Sequence, residues 1–193
     1  TDAISSASLY DLIPMTDPEK YLGTPWTRDW YLKKIEYLQK FEQLLSISEF
    51  SKLQAQQLLG INPSKIVNIS TACDEIFKPQ DSSHEAEWEL RSRYGVRSKL
   101  IMCSGALDER KNIPRLLEAF STLPPIIRAT RQLLLAGKGN EHEVFHLREL
   151  AKKLGIDDEL ILPGYVPDED LARLMGLAEF FIFPSLSEGF GLP

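Results

Sequence analysis

A single carboxylate, Glu188, stands between Ser187 and Gly189, just after an apolar run at 180–183 that Pro184 breaks. A strand-end carboxylate set among serines and glycines has no helix or sheet role to fill, so a chemical role is the better reading. Gly189 and Gly191 flank Phe190 and let backbone approach a ligand closely. Leu192 and Pro193 follow, and Pro193 suits the first turn of a helix, whose free N–H groups bind phosphate. Two other turns carry cations. Arg110 and Lys111 follow an apolar run that ends in Gly105, and Lys138 follows the run 133–137. Exposed Arg-Lys pairs are mostly solvated surface, and a Gly-Lys-Gly is often only a turn. Their convergence on one sheet edge is what favours function. Cations on one side and a helix start on the other make a clamp for a diphosphate.

A second pattern competes. His142, Glu143 and His146 spell the H-E-x-x-H of zinc peptidases, with Glu169 downstream as a third acid. The apolar stripe of that helix is Val144, Leu147, Ala151 and Leu154. At about 100° per residue, both histidines then fall on the polar face with Glu149 and Lys153. A catalytic zinc needs a walled cleft with ordered partners behind its ligands. The pair reads as coincidence, and no metal is expected.

The elements that must position these residues alternate. Apolar runs at 100–105, 133–137, 160–164 and 180–184 read as strands. Between them lie a helix capped by Asn112, with Ile113, Leu116, Leu117 and Phe120 on its inner face, a helix from Glu141 to Leu154 closed by Gly155, and a helix beginning at Asp168. Strand and helix in alternation predict a parallel, doubly wound α/β sheet, whose ligands bind outside the carboxyl ends of the strands. The earlier part predicts a strand end within 8–14, strands at 44–48 and 65–70, an amphipathic helix over 29–43 and a helix over 50–60. These are too few strands to close a sheet of their own. Residues 74–97 are polar and carry no strand signal, which places an interdomain linker there. The expected division is therefore 1–73, the linker 74–97, and a second domain over 98–193.

Composition sets the outer limits. The 193 residues carry a net charge of −6, which argues against a nucleic-acid or anionic-membrane partner, since both need a basic field. Hydrophobic residues make up 43%, enough for a real core. No apolar stretch reaches the ~18 residues of a membrane span, and nothing at the start resembles a signal peptide. Cys73 and Cys103 are isolated thiols, as in a cytoplasmic, reduced protein. Thr1 opens almost directly onto an apolar segment, so a piece of a longer protein is expected.

Four segments in order, SGALDERKNIPRLLEAF, LLLAGKG, LILPGYVPDEDLARLM and FFIFPSLSEGFGLP, resemble the C-terminal domain of the retaining GT-B glycosyltransferases of family 4. YDLIP, LLSISEFSK and the stretch from KIVNIS to IFKP resemble the end of that family's N-terminal domain and its linker. The resemblance covers nearly the whole chain. It implies two Rossmann-like domains, with a nucleotide-diphosphate sugar held mainly by the second, and metal-free transfer with retention, without a cofactor. Glu188 matches the first Glu of the family's E-x7-E motif, beside the donor sugar. Lys111, with Arg110, matches the cations on the diphosphate. Gly105, Lys138, Gly189, Phe190, Gly191 and Leu192 complete the donor site, and Tyr165 and Val166 match the nucleobase loop, through backbone contacts. Among family members the chain looks most like bacterial mannosyl- and rhamnosyltransferases of surface polysaccharide assembly. That implies GDP-mannose as donor and a glycan or lipid-linked acceptor, with work at the inner membrane face.

Three departures stand out. Ala106 replaces an Arg that often follows the strand-end glycine, Tyr10 replaces the family's His before Asp-Leu, and the second Glu of E-x7-E would fall at position 196. The sequence is therefore expected to be a truncation, whose isolated activity is in doubt. The rival readings are a non-catalytic nucleotide-sugar-binding module, a GT-B sugar-nucleotide epimerase and, remotely, the zinc peptidase. The aromatic helix over 29–43, with Trp30, Tyr31, Leu32, Ile35, Tyr37 and Leu38, reads as core or as a peripheral membrane surface.

Overall fold

The computed structural model describes residues 4–80 and 83–193. The chain divides into two compact units, Thr1–Cys73 with Ser187–Leu192, and Asp74–Leu186 with Pro193. Residues 1–3 of the expected first domain and residues 81 and 82 of the expected linker lie outside the described residues.

The first unit is a three-stranded parallel sheet of β1 (Ser6–Leu9), β2 (Gln43–Ser46) and β3 (Ile66–Asn68), in that order. Between β1 and β2 run two single-turn helices, α1 (Ile13–Thr16) and α2 (Pro18–Tyr21), and the long α3 (Pro25–Lys40). β1 ends at Leu9 rather than at residue 14, because Pro14 takes an early position of α1, where its missing N–H costs nothing. α3 starts four residues before the expected Asp29. Thr24 and Thr27 form a reciprocal capping box there, and Pro25 fills the first turn. α4 (Glu49–Leu59) begins at Ser48, whose hydroxyl accepts from Ser51 N at 3.0 Å, and closes at Gly60. The core holds Leu9, Leu12, Leu44, Ala55 and Ile66, with Ile35 and Leu38 of α3 packed against it.

The second unit opens inside the stretch expected as a linker. Residues 84–94 form α5 (His84–Tyr94), capped by Ser83 and closed by Gly95. Its Leu90, with Val96 just beyond, is buried in the second unit's core, so the polar sequence conceals one inward-facing residue. The sheet follows as β4 (Lys99–Ser104), β5 (Arg131–Ala136), β6 (Leu160–Gly164) and β7 (Ala178–Phe181), all parallel, in the order β6-β5-β4-β7. The connections are α6 (Ile113–Ser121) with α7 (Pro125–Arg128), then α8 (Glu141–Leu154), then α9 (Asp168–Leu177).

Strand alternation sorts the core into two layers. Ile101, Cys103, Leu133 and Leu135 meet α6 and α8 through Leu116, Leu117, Phe120, Leu147 and Ala151. Leu100, Met102, Leu134 and Ala136 meet α5 and α9 through Leu90 and Leu174. Both faces are covered, as the continuous apolar strands require. On the α9 face lies a buried polar node. Asp170 accepts from Arg93 Nη1 and from the Tyr94 hydroxyl, each at 2.7 Å. Burial alone would raise the Asp170 carboxyl, but the hydrogen bonds from Tyr94 and Arg93, together with the charges of Arg93 and Arg173, outweigh it and hold the carboxyl below its usual value. Tyr94, desolvated and bonded to that carboxylate, is pushed up to about 12.

Residues 187–192, expected as part of the second domain, group with the first unit instead. The physical reason is a contact within that unit: the Gly189 carbonyl accepts from the Ser48 hydroxyl, with the Ser51 hydroxyl 3.1 Å away.

Candidate donor-binding site

In the second unit the chain runs outward from β4 through β5 to β6, then returns to the other side of β4 as β7. The strand order therefore reverses between β4 and β7, and in open α/β sheets ligands bind outside the carboxyl ends of the strands at that point. The loops leaving β4 and β7 are tied together there. Ile182 N donates to Met102 O at 2.8 Å, the Asn112 amide to Pro184 O at 3.2 Å, and Leu186 N to Arg110 O at 2.9 Å. Asn112, expected as a side-chain cap for α6, makes no capping bond. It sits in the left-handed region at φ 55, which frees its amide to reach across to Pro184.

The cations emerge from a single 3-10 turn, Glu109–Lys111, set by Asp108, whose carboxylate accepts from Arg110 N at 2.9 Å. Arg110 also pairs with Asp108 at 3.8 Å. Lys111 is only 8% exposed. Its ammonium lies 4.8 Å from the centre of the Phe183 ring, an attractive arrangement for a cation. Its aliphatic stem and Nζ lie along Gly105: a Cβ there would come within 3.1 Å of Lys111 Cε and 3.3 Å of Nζ. Beneath it, burial pushes the Cys103 thiol up to about 11, with the Lys111 charge pulling the other way, so Cys103 is an inert core residue.

Gly137 closes the next gap. A Cβ on it would stand 1.6 Å from Gly105 O, so the ends of β4 and β5 can approach only through glycine. Lys138 follows, with its Nζ 4.8 Å from the centre of the Tyr165 ring, and Leu107 N donates to its carbonyl at 3.1 Å. Tyr165 is 63% exposed, whereas the Val166 side chain is buried in the core against α5 and α9. Of the two residues matched to the nucleobase loop, only Tyr165 thus offers a side chain. Gly105, Arg110 and Lys111 come together at the β4–β7 reversal, and Lys138 and Tyr165 meet at the neighbouring strand ends.

Glu188, Gly189, Phe190, Gly191 and Leu192 belong to the first unit. Gly189 is buried, Phe190 and Leu192 are exposed, and Gly191 has φ 89. The H-E-x-x-H residues are placed as the periodicity predicts: both imidazoles are exposed and stacked on each other with centres 5.4 Å apart. Glu143 is spent on structure, since its carboxylate accepts from Asn140 N at 2.7 Å in the capping box that starts α8. Among the described residues no group of three metal-ligating side chains converges.

Sequence reading missed three contributors: Phe183 beside Lys111, Gly137 between the strand ends, and the serines that hold Gly189. The glycine closing each strand (Gly105, Gly137, Gly164) was the available signal for the second.

Residues 87–193 match the family of glycosyl transferases group 1. The chain belongs to that family. Among curated relatives, the serotype-specific mannosyltransferase WbdA of Escherichia coli is 33% identical over 185 residues, 95% of this chain and 23% of that protein. The O-antigen chain mannosyltransferase B of Escherichia coli is 32% identical over 189 residues, 96% of this chain and 48% of that protein. The chain thus spans half or less of the group 1 relatives it matches. Among solved structures, WaaG, a glycosyltransferase involved in lipopolysaccharide biosynthesis, superposes with a TM-score of 0.77 at 19% identity, over 100% of this chain and 53% of that one. The fold of this group 1 chain is accordingly the GT-B type, with its two parallel sheets. Among the described residues no helix is long and apolar enough to cross a membrane.

Proposed function

We propose that this chain is the donor-holding part of a sugar transferase, which takes a hexose from a nucleotide-diphosphate sugar and passes it, with retention, to a glycan or lipid-linked acceptor. The observation that carries the reading is Lys111. It stands with Arg110 on the turn leaving β4, where the sheet order reverses, with its stem laid along the strand-end Gly105. Cations at the carboxyl ends of the strands, at that reversal, suit an anionic ligand. As the bond from the sugar to the diphosphate breaks, negative charge builds on the departing phosphate oxygens. Lys111, with Arg110, would meet that charge, and the Gly191–Leu192 amides would add donors. Glu188 would stand beside the donor sugar, where a carboxylate offsets the positive charge of an opening sugar ring. Lys138 would help hold the diphosphate. Tyr165, with the Val166 backbone, would border the nucleobase. No cofactor or metal enters this scheme.

GDP-mannose is the proposed donor and surface polysaccharide the proposed product class. The support is that relatives covering nearly the whole chain carry mannosyltransferase in their names. We place the work at a cytoplasmic membrane face. α3 supports this: Trp26, 72% exposed, stacks on Trp30, Lys34 lies 3.9 Å from the Trp30 ring centre, and Tyr37 continues the same face. Aromatic rings beside lysines suit the headgroup layer. The expected aromatic face divides, with Ile35 and Leu38 turned to the core and Trp30, Leu32 and Tyr37 outward.

The deciding experiment is thermal melting of the full-length protein that contains this chain, with GDP, UDP, dTDP and ADP. A ligand at ~100 times its dissociation constant adds about 2.7 kcal/mol. A shift with GDP alone supports the donor assignment. No shift with any of the four overturns the reading.

A further inference from the structure

Three serines of the first unit, Ser46, Ser48 and Ser51, form a hydroxyl network that ends on the backbone of the Glu188 segment. Ser46 Oγ donates to Ser48 O at 2.7 Å, fixing the Ser48 backbone at the carboxyl end of β2. Ser51 N donates to Ser48 Oγ at 3.0 Å, and the Ser48 hydroxyl itself lies 3.1 Å from Ser51 Oγ and closer still to Gly189 O. Each hydroxyl has one proton. The shortest distances assign that of Ser48 to Gly189 O at 2.5 Å and that of Ser51 to Tyr10 O at 2.7 Å, with Ser51 also 3.1 Å from Gly189 O. Ser46 and Ser51 are fully buried. The slot fits glycine alone. A Cβ on Gly189 would come within 2.8 Å of Tyr10 O, 3.1 Å of Asp11 Cβ and 3.3 Å of Ile47 Cδ1.

Capping α4 needs only an acceptor at Ser48, and aspartate caps a helix as well as serine does. The hydroxyl's donor function is therefore surplus to the helix. It is spent on a carbonyl 141 residues away in sequence, one residue past the carboxylate assigned beside the donor sugar. We propose that Ser48, buttressed by Ser46 and Ser51, is a positioning residue for Glu188. By pinning the Gly189 carbonyl it fixes the backbone from which the carboxylate projects. The inference rests on the proposed function for its catalytic consequence, but not for the clamp itself. Catalytic groups must be held within about 0.5 Å of productive geometry, and a displacement of ~1 Å costs roughly 100-fold in rate.

The test uses three forms of the full-length protein: wild type, Ser48→Asp and Ser48→Thr. Aspartate keeps the cap and removes the donor; threonine keeps both. Three quantities are measured: GDP affinity, kcat for sugar transfer, and amide hydrogen exchange across 186–192. Ser48→Asp should hold its GDP affinity within about twofold, lose roughly 10- to 100-fold in kcat, and exchange faster across 186–192. Ser48→Thr should restore both kcat and protection. Wild-type kcat in Ser48→Asp, or unchanged exchange, overturns the proposal. So does a parallel loss of GDP binding and melting temperature, which marks a structural role. If the wild type itself neither binds GDP nor transfers sugar, the functional reading falls, and the exchange comparison alone decides the clamp.

Discussion

Replacing Lys111 by methionine tests directly whether the β4–β7 reversal holds a diphosphate. The substitution keeps the length of the aliphatic stem along Gly105 and its packing on Phe183, and removes only the charge and the N–H donors. A charge-assisted hydrogen bond is worth about 1.5–3 kcal/mol. At ~1.4 kcal/mol per decade, its loss raises the dissociation constant for a nucleoside diphosphate roughly 10- to 150-fold. A ligand that stabilises the wild type by about 2.7 kcal/mol would then stabilise the variant by only about 0.3–1.4 kcal/mol at the same concentration. Calorimetric titration with GDP measures the loss, and an unliganded melt confirms that the variant is folded. If Lys111→Met binds GDP as tightly as the wild type, the assignment of the β4–β7 reversal to diphosphate is refuted. If it unfolds without binding loss in the folded fraction, Lys111 is a structural cation.

Gly137→Ala should destabilise the chain by at least about 3 kcal/mol in denaturant titration, the upper end for overpacking, because the new Cβ meets the Gly105 carbonyl rather than a yielding side chain. Asp170→Asn should lose about 1–3 kcal/mol, since Arg93 and Tyr94 are left with a weaker partner. The Asp170 carboxyl titrates lower in the folded than in the unfolded chain, so its contribution is present above the usual aspartate value near 3.9 and is lost as pH falls through the folded value. The Asn variant should accordingly show a flatter acid limb in stability measured against pH. Replacing both His142 and His146 by alanine should leave melting with zinc and sugar transfer unchanged; a zinc-dependent shift lost in that variant would reopen the peptidase reading.

How much of this was legible in the sequence depends on the range of the interaction. β6 and α8 fall at their expected bounds, because Gly155 and Gly164 close them and their apolar periodicity is unambiguous. α5 was hidden because its helical face is mostly solvated: only Leu90 among its eleven residues is buried, so no apolar stripe marks it. Its Ser83 cap and Gly95 stop mark it in the sequence, and the absence of a strand signal does not speak against a helix. The cations at Arg110 and Lys111 were legible as types, but their different states were not. Lys111 is buried by Phe183, a residue 72 positions on that only the β4–β7 pairing brings near.

The Glu188 segment shows the limit most clearly. Its residue types suggested a ligand contact through glycine, whereas Gly189 is buried and engaged with serines 141 and 138 positions earlier. Local pattern can say that a glycine is needed but not what approaches it, because a missing Cβ looks the same before a phosphate, a sugar or a hydroxyl of the same chain. Tyr10, Asp11 and Ile47 are what exclude the Cβ, and each lies at a strand end of the first unit. The carboxylate and its backbone support are thus written in separate parts of the sequence. A substitution at Ser48 would therefore disturb Glu188 without touching any motif that marks it.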